Sequence, residues 1–474
     1  MRDRPASPGV VRGKMPPEIA VLNAADEPPS TAFRPLGPWS TAALVVGHTI
    51  GIGIFLTPAE LIGALASPAW TLGLWIACGA LVLAGALTFG ELAARRPQQG
   101  GTYVYLREAW GPRVAFLYGW QSLLIMDPGV TAALALGLSQ YLVVLWPAGA
   151  GRERWLALTV VWALAAVGMT GLRPSARVLN ALTAGKVAAL LAIVIGAAVF
   201  GAGSLAHFTP FFARRSGAPP LSEALGLGLI GAFYSFGGFW EASRVAGEVR
   251  DPERRLPRAF ASGVSAVTLL YLATTVAFLY LVPPEEARAP RAFAESAGRA
   301  LLGPSGPSAL AAVVTLSVAA SALALLLMAP RVYLAMGRDG LFPAPLAALD
   351  PRTRSPRRAT AVLAALASVY VLSGSFPQVV AFFMCTTLAF LALAAAGLFV
   401  LRRRDATAPA FLAPGFPATP ALFLSLTLVV IALIALARPI PALSGFLLVL
   451  AGLPFYRAVA AGHSRARRLE REMS

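Results

Sequence analysis

Apolar stretches long enough to cross a bilayer succeed one another along almost all of this chain, and two of them are broken in the middle by glycine. A membrane-spanning helix needs about 20 mostly apolar residues. Within hydrocarbon every backbone N–H and C=O must be satisfied inside the protein, which leaves helices and closed barrels as the only spanning forms. The stretches lie at 41–65, 70–94, 113–145, 155–172, 176–201 and 222–249, then at 257–282, 308–336, 359–372, 378–401, 418–437 and 442–456. They read as an all-α polytopic membrane protein of about twelve transmembrane helices.

The first interruption is Gly47-His48-Thr49-Ile50-Gly51-Ile52-Gly53-Ile54-Phe55, in the first stretch. The second is Phe233-Tyr234-Ser235-Phe236-Gly237-Gly238-Phe239-Trp240, in the sixth. Glycine weakens a helix interior and frees the backbone to turn. Backbone groups released at membrane depth are tolerated only against protein or a wet cavity. Breaks at corresponding places in two halves point to a transporter binding site. The first ten stretches divide into two sets of five, 41–201 and 222–401, each opening with a broken member. An odd number of crossings inverts the second set, which gives a 5+5 inverted repeat of the LeuT type with helices 1 and 6 broken. Helices 11 and 12 follow at 418–456. Residues 1–40 read as a disordered, Pro-rich cytoplasmic tail without a signal-peptide core, and 457–474 as a basic tail.

Composition excludes several classes. Only 13% of residues are charged, about half of what a soluble domain carries. The net charge of +17 is spread through loops rather than gathered on one face, which argues against nucleic acid. Nearly all the basic residues are arginine; Lys14 and Lys186 are the only lysines. Arg95, Arg96, Arg173, Arg250, Arg338, Arg402 to Arg404 and Arg465 to Arg471 fall on one side. Arg152, Arg154, Arg214, Arg215, Arg288, Arg291, Arg299 and Arg438 fall on the other, poorer side. Both termini are therefore expected in the cytoplasm, with the chain in the plasma membrane. Cys78 and Cys385 lie inside apolar stretches, so neither an extramembrane disulfide framework nor a cysteine metal site is expected. No Gly-Lys-Ser/Thr phosphate loop occurs, and the three histidines suggest no catalytic triad, so neither ATP-driven transport nor enzyme chemistry is expected. No cofactor is expected.

Four segments carry a resemblance. They are Gly47 to Pro58; Gly90-Glu91-Leu92 with Gly100 to Pro112; Phe236-Gly237-Gly238 with Gly247-Glu248-Val249-Arg250-Asp251-Pro252 and Pro257; and Pro330 to Pro343. Together they resemble the amino-acid permeases of the amino acid–polyamine–organocation superfamily, near the L-type amino-acid transporter branch. The resemblance implies a secondary transporter that moves L-amino acids by alternating access, as an exchanger or a proton symporter. A membrane sensor of the same fold that binds amino acids without transport is the alternative.

A helix restarting after a break offers free N–H groups and the positive end of its dipole, so Gly51, Ile52 and Gly53 are candidates to cradle an α-carboxylate. The resemblance places ammonium-binding carbonyls at Thr49, Tyr234 and Gly237, and makes Tyr234 an aromatic gate. Phe236 stands beside it; Trp240 replaces a smaller polar residue usual in relatives, and Ile52 a small hydroxyl residue. Lys186, in the fifth stretch, resembles the lysine that stands in for a sodium ion in several permeases. Its amine is expected near the Thr49–Gly51 carbonyls and near Ser317 or Ser321. Asp127 is an intramembrane carboxylate and so a functional candidate. Pairing with Lys186, selecting a cationic substrate, carrying a proton, and facing an arginine as structure all stay open for it. Ile125, Met126 and Val130 would flank it in the pocket. Glu241 and Arg244, three apart, are expected to pair; Glu248 and Arg250 read as gate or loop-anchoring charges, and His48 as a packing residue or a proton site. The loop 146–154 holds no cysteine, so no disulfide-linked heavy chain is expected. Partners are the amino acid, protons on the symport reading, and the lipid bilayer.

Overall fold

The computed structural model describes residues 36–200, 203–288, 290–343, 345–374 and 376–459. The expected tails, at 1–35 and 460–474, lie outside them. Among the described residues there is no β-strand; one parallel bridge ties Leu36 to Val249. Eight helices are long and apolar enough to cross a membrane, and a bent pair, α1 (Pro38–Thr49) with α2 (Gly53–Leu65), makes a ninth candidate among these residues. The chain is an all-helical, multi-pass membrane protein.

The shortfall against the expected twelve has local causes. Helices α7 (Glu153–Met169) and α14 (Arg357–Ser373) have 17 residues each, about 25 Å of rise and short of the hydrocarbon thickness. The stretch 222–249 divides into α9 (Leu221–Ser235) and a 3₁₀ helix, Phe239–Glu248. Proline sets two further boundaries. Pro330 has no N–H to give the preceding turn, and it opens α13 (Pro330–Arg338) after α12 (Gly306–Met328). Pro128 likewise cannot donate to the carbonyl of Leu124. That carbonyl accepts the Tyr370 hydroxyl at 2.7 Å instead. A π-turn, Ser122–Met126, joins α5 (Pro112–Gln121) to α6 (Asp127–Leu145) at the same point.

Helix α3 (Pro68–Arg95) packs along α10 (Pro252–Leu281), and α12 lies against both α6 and α8 (Leu172–Phe200). These contacts place α1 between α8, α10 and α12. Three of the four segments that carried the resemblance are joined by ion pairs. Arg107 of α4 (Thr102–Trp110) binds Asp339 at 2.7 Å, and Tyr103 donates to the same carboxylate. Glu248 accepts from Gln99 at 3.0 Å and pairs with Arg331 at 3.4 Å, so it anchors a loop as expected. Buried Glu91 takes Arg95, Arg402 and the Ala413 N–H, fastening α3 to the end of α15 (Phe376–Arg404).

Candidate functional site

Helix α1 stops at Thr49 and α2 restarts at Gly53, with a bend of 42° between them. A helix that stops leaves its last carbonyls without intrahelical donors. Here those carbonyls are taken by side chains of other helices. The Lys186 ammonium donates to Gly47 O at 2.7 Å, Ile50 O at 2.6 Å and Ser317 O at 2.9 Å, with the Ser321 hydroxyl at 3.2 Å. Ser321 Oγ lies 2.9 Å from both Gly47 O and Ile50 O, and Ser317 Oγ 3.2 Å from Ile50 O. His48 donates from Nδ1 to Ser321 O at 3.1 Å. The expected group of Lys186, Ser317 and Ser321 therefore assembles on one helix end. Helix α8 can come this close because residue 47 is glycine: a Cβ there would sit 2.5 Å from Thr183 Oγ1.

The second break is joined to the first by a residue that sequence reasoning missed. The Tyr271 hydroxyl of α10 lies 3.1 Å from Thr49 O and 2.9 Å from Ser235 O. It has a single proton, so the two helix ends share it. Thr57 and Ser235 add a hydroxyl contact at 2.8 Å across the same gap. Past the break, Gly238 has φ +98°, and a Cβ there would lie 2.2 Å from the His48 ring. Glycine is required at that position on both counts.

Between the breaks lies a cavity enclosing about 80 Å³, room for two or three waters at ~30 Å³ each. Thr49, Gly51, Ile52, Gly53, Tyr234, Gly237, Trp240, Met126 and Val130 all line it. Two expected residues do not. Phe236 turns away to pack between Trp75 and Tyr271, with ring centroids 5.7 and 5.3 Å distant. Ile125 is fully buried behind the wall, since Met126 and Val130, one turn apart, supply the cavity face of this helix. Wall residues not foreseen include Leu134 of α6, Leu325 of α12, and Phe383, Met384, Thr387 and Leu388 of α15. Nothing in an evenly apolar helix marks which face meets a cavity.

The backbone groups at the breaks are not all open. The Gly51 N–H turns back onto Thr49 O at 2.9 Å, and the Gly237 N–H onto Tyr234 O at 3.0 Å. Among the described residues no backbone acceptor meets the N–H groups of Ile52 and Gly53, and no donor meets the Gly237 carbonyl. Gly53 also serves packing, because a Cβ there would meet the Ser235 backbone at 2.9 Å.

Beneath the cavity sits a buried charged layer. Asp127 pairs with Arg244 at 2.8 Å and accepts 2.7 Å bonds from Ser122 and Tyr333. Its cationic partner is thus Arg244, not Lys186. Arg244 also reaches Tyr118 at 3.1 Å and pairs with Glu241, Nε to Oε2 at 2.6 Å. A 3₁₀ helix eclipses residues three apart, which sets that expected pair face to face. Glu241 lines the cavity as well. The π-turn lets Asp127 and Ser122, five apart, share a side of the helix.

Breaks at both ends of one cavity, with a lysine seated on the first, make a transporter core, and sequence comparison agrees: residues 36–453 match the family described as amino acid permease. The chain belongs to that family. The human cystine/glutamate transporter is 30% identical to this permease over 426 residues, covering 87% of this chain and 83% of that protein. The rabbit (Oryctolagus cuniculus) b(0,+)-type amino acid transporter 1 is 29% identical over 383 residues, 80% of this chain and 78% of the relative. The rat (Rattus norvegicus) large neutral amino acids transporter small subunit 2 is 27% identical over 435 residues, 89% and 80%. These relatives place the permease in the L-type branch, among transporters rather than enzymes or sensors.

Proposed function

We propose that the permease exchanges neutral L-amino acids across the plasma membrane by alternating access, with both termini in the cytoplasm. The carrying observation is the single cavity shared by both helix breaks. Twelve crossings in a 5+5 inverted repeat are the architecture this mechanism uses: the helices at 41–94 and 222–282 rock against a scaffold at 113–201 and 308–401. The α-carboxylate takes the N–H groups of Ile52 and Gly53, and the ammonium takes the Gly237 carbonyl. The substrate side chain faces Met126, Val130, Leu134, Phe383 and Leu388, an apolar wall that supports a neutral class. One relative is named for large neutral amino acids, in keeping with that wall. Tyr234 closes the outer path, and the Arg244–Asp127 pair, which joins the rocking set to the fixed set, closes the inner one.

Exchange rather than proton symport is supported by the Lys186 contacts. An ammonium has three protons to give, and the acceptors around it are carbonyls and a hydroxyl. A neutral amine has two protons for three carbonyls, so one of them would fall back on a serine hydroxyl alone. Lys186 therefore acts as a fixed cation in place of sodium. Both cysteines are free and buried, which supports function without a disulfide-linked partner.

The test is radiolabelled uptake into proteoliposomes of the purified protein, preloaded or empty, with and without an inward proton gradient. Uptake restricted to preloaded vesicles is the expected result. Gradient-driven uptake into empty vesicles would establish symport instead, and binding without any uptake would establish a sensor.

A further inference from the structure

A second cavity lies away from the substrate site, between α8, α10, α12 and the amphipathic helix α11 (Pro290–Leu302). It encloses about 340 Å³, more than twice the ~150 Å³ engineered cavity that stays dry and admits benzene. Every residue lining it is apolar or glycine. Ile193, Phe278, Ala297 and Leu310 form a buried floor, while Phe200 and Leu302 at the rim are 69% and 54% exposed. The hole thus opens on the flank of the bundle, between helices α8, α10 and α12, all long and apolar enough to cross a membrane. Water finds no polar side chain there to hold it. Protein interiors are close-packed, and an empty void of this size forfeits the dispersion contacts of its whole lining.

A charge stands beside the rim. Arg299 is exposed and shares a helix face with Leu302, three residues on. No carboxylate among the described residues pairs with it. We propose that this cavity binds a membrane glycerophospholipid, one acyl chain filling the hole and the phosphate held by Arg299. The site bears on transport through two helices. Ala189 in the cavity wall is one turn from Lys186 on α8, and Val313 one turn from Ser317 on α12. An acyl chain wedged between them braces the helices that grip the first break.

The test uses the full chain in phosphatidylcholine vesicles doped with phosphatidylglycerol that carries a photoreactive diazirine at the end of one acyl chain. After illumination, adducts are mapped by peptide mass spectrometry. Adducts are expected to concentrate on α8 and α12 at the cavity wall. Gly196→Leu should remove them, because a Cβ at that position has its nearest neighbour at 3.5 Å and a larger side chain grows into the hole. Ala309→Leu is an independent filling variant should the first one misfold; a monodisperse size-exclusion peak with the native melting temperature identifies the folded one. Arg299→Gln should lower capture about fivefold, the equivalent of the ~1 kcal/mol of one basic residue at an anionic surface. Adducts no denser at the cavity than on the outward face of α16 (Ala418–Ala437) would mean ordinary boundary lipid and overturn the proposal. Capture unchanged in a folded filling variant would overturn it too. Adducts between two protein chains would assign the hole to a second copy instead.

Discussion

Replacing Lys186 with methionine keeps most of the side-chain volume and deletes the cation. In the native protein its amine donates to Gly47 O, Ile50 O and Ser317 O, all at 2.9 Å or less. After the change, Ser321 still reaches Gly47 O and Ile50 O, but it has one proton for both. Ser317 Oγ, 3.2 Å from Ile50 O, can take the second carbonyl, so both keep only a neutral hydroxyl donor. The three lost charge-assisted bonds cost roughly 1.5–3 kcal/mol each, less what the hydroxyls recover. Relief from burying an ammonium offsets part of that sum. A net loss of about 3 kcal/mol in the formed break remains, close to a hundredfold fall in the competent population. Equilibrium binding and exchange in proteoliposomes should both fall by about that factor, while Lys186→Ala, which adds a void, should fall further. Exchange by Lys186→Met within threefold of the native rate would refute the reasoning. The break would then be held by Ser317, Ser321 and Tyr271 alone.

Tyr271→Phe removes the hydroxyl shared by the two helix ends. It should reduce uptake about tenfold for a loss near 1.5 kcal/mol, with little change in the amount of folded protein on size-exclusion chromatography. Gly238→Ala places a Cβ into the His48 ring at a left-handed backbone angle and should abolish uptake. Adding His48→Ala should restore part of the activity by removing the clash but not the backbone strain, a coupling read from the double-mutant cycle. Burial alone would raise the Asp405 carboxyl, but Arg96 and Arg95 outweigh it and hold it below the ordinary carboxylate range. A depressed carboxylate stabilises the fold above its unfolded value and loses that contribution as pH falls through the folded one. Asp405→Asn should therefore lower the melting temperature at pH 7, with the difference shrinking below about pH 4.

How far the sequence was legible depended on the kind of signal each feature left. Apolar length revealed the membrane helices, because hydrocarbon admits few alternatives. The breaks were legible as glycine in apolar surroundings, although their place within the motif, at residues 50–52 and 236–238, depends on packing. The setting of Lys186 was approached correctly because a lone lysine among apolar residues has few ways to be satisfied. Asp127 was not resolved, since its partner Arg244 lies 117 residues away and any intramembrane cation was a candidate. Tyr271, Tyr333 and Tyr370 passed unnoticed, as an aromatic in a span usually only packs. Each spends its hydroxyl on a carbonyl or carboxylate that a break, a charge or a proline had left short. Tyrosine near such a feature is the signal that was available and unread.

The two buried cations are satisfied in different ways, and the helix geometry accounts for the difference. Helix α1 ends in free carbonyls, which carry about half a negative charge between them. An ammonium seated there needs no carboxylate, and Lys186 has none among its partners. Arg244 lies inside the 3₁₀ helix rather than at its end, away from any free set of carbonyls, and it takes Asp127 and Glu241 instead. Counted together by formal charge, Lys186, Arg244, Asp127 and Glu241 are two positive and two negative groups and sum to zero. A zwitterionic amino acid adds nothing to that sum. Moving one net charge through the membrane potential costs about 2.3 kcal/mol per 100 mV. On the proposed mechanism the loaded carrier reorients without meeting that cost in either direction, as an exchanger of neutral amino acids requires. A cationic substrate would break the balance, which ties the selectivity proposed for the apolar wall to the charge arrangement beneath it.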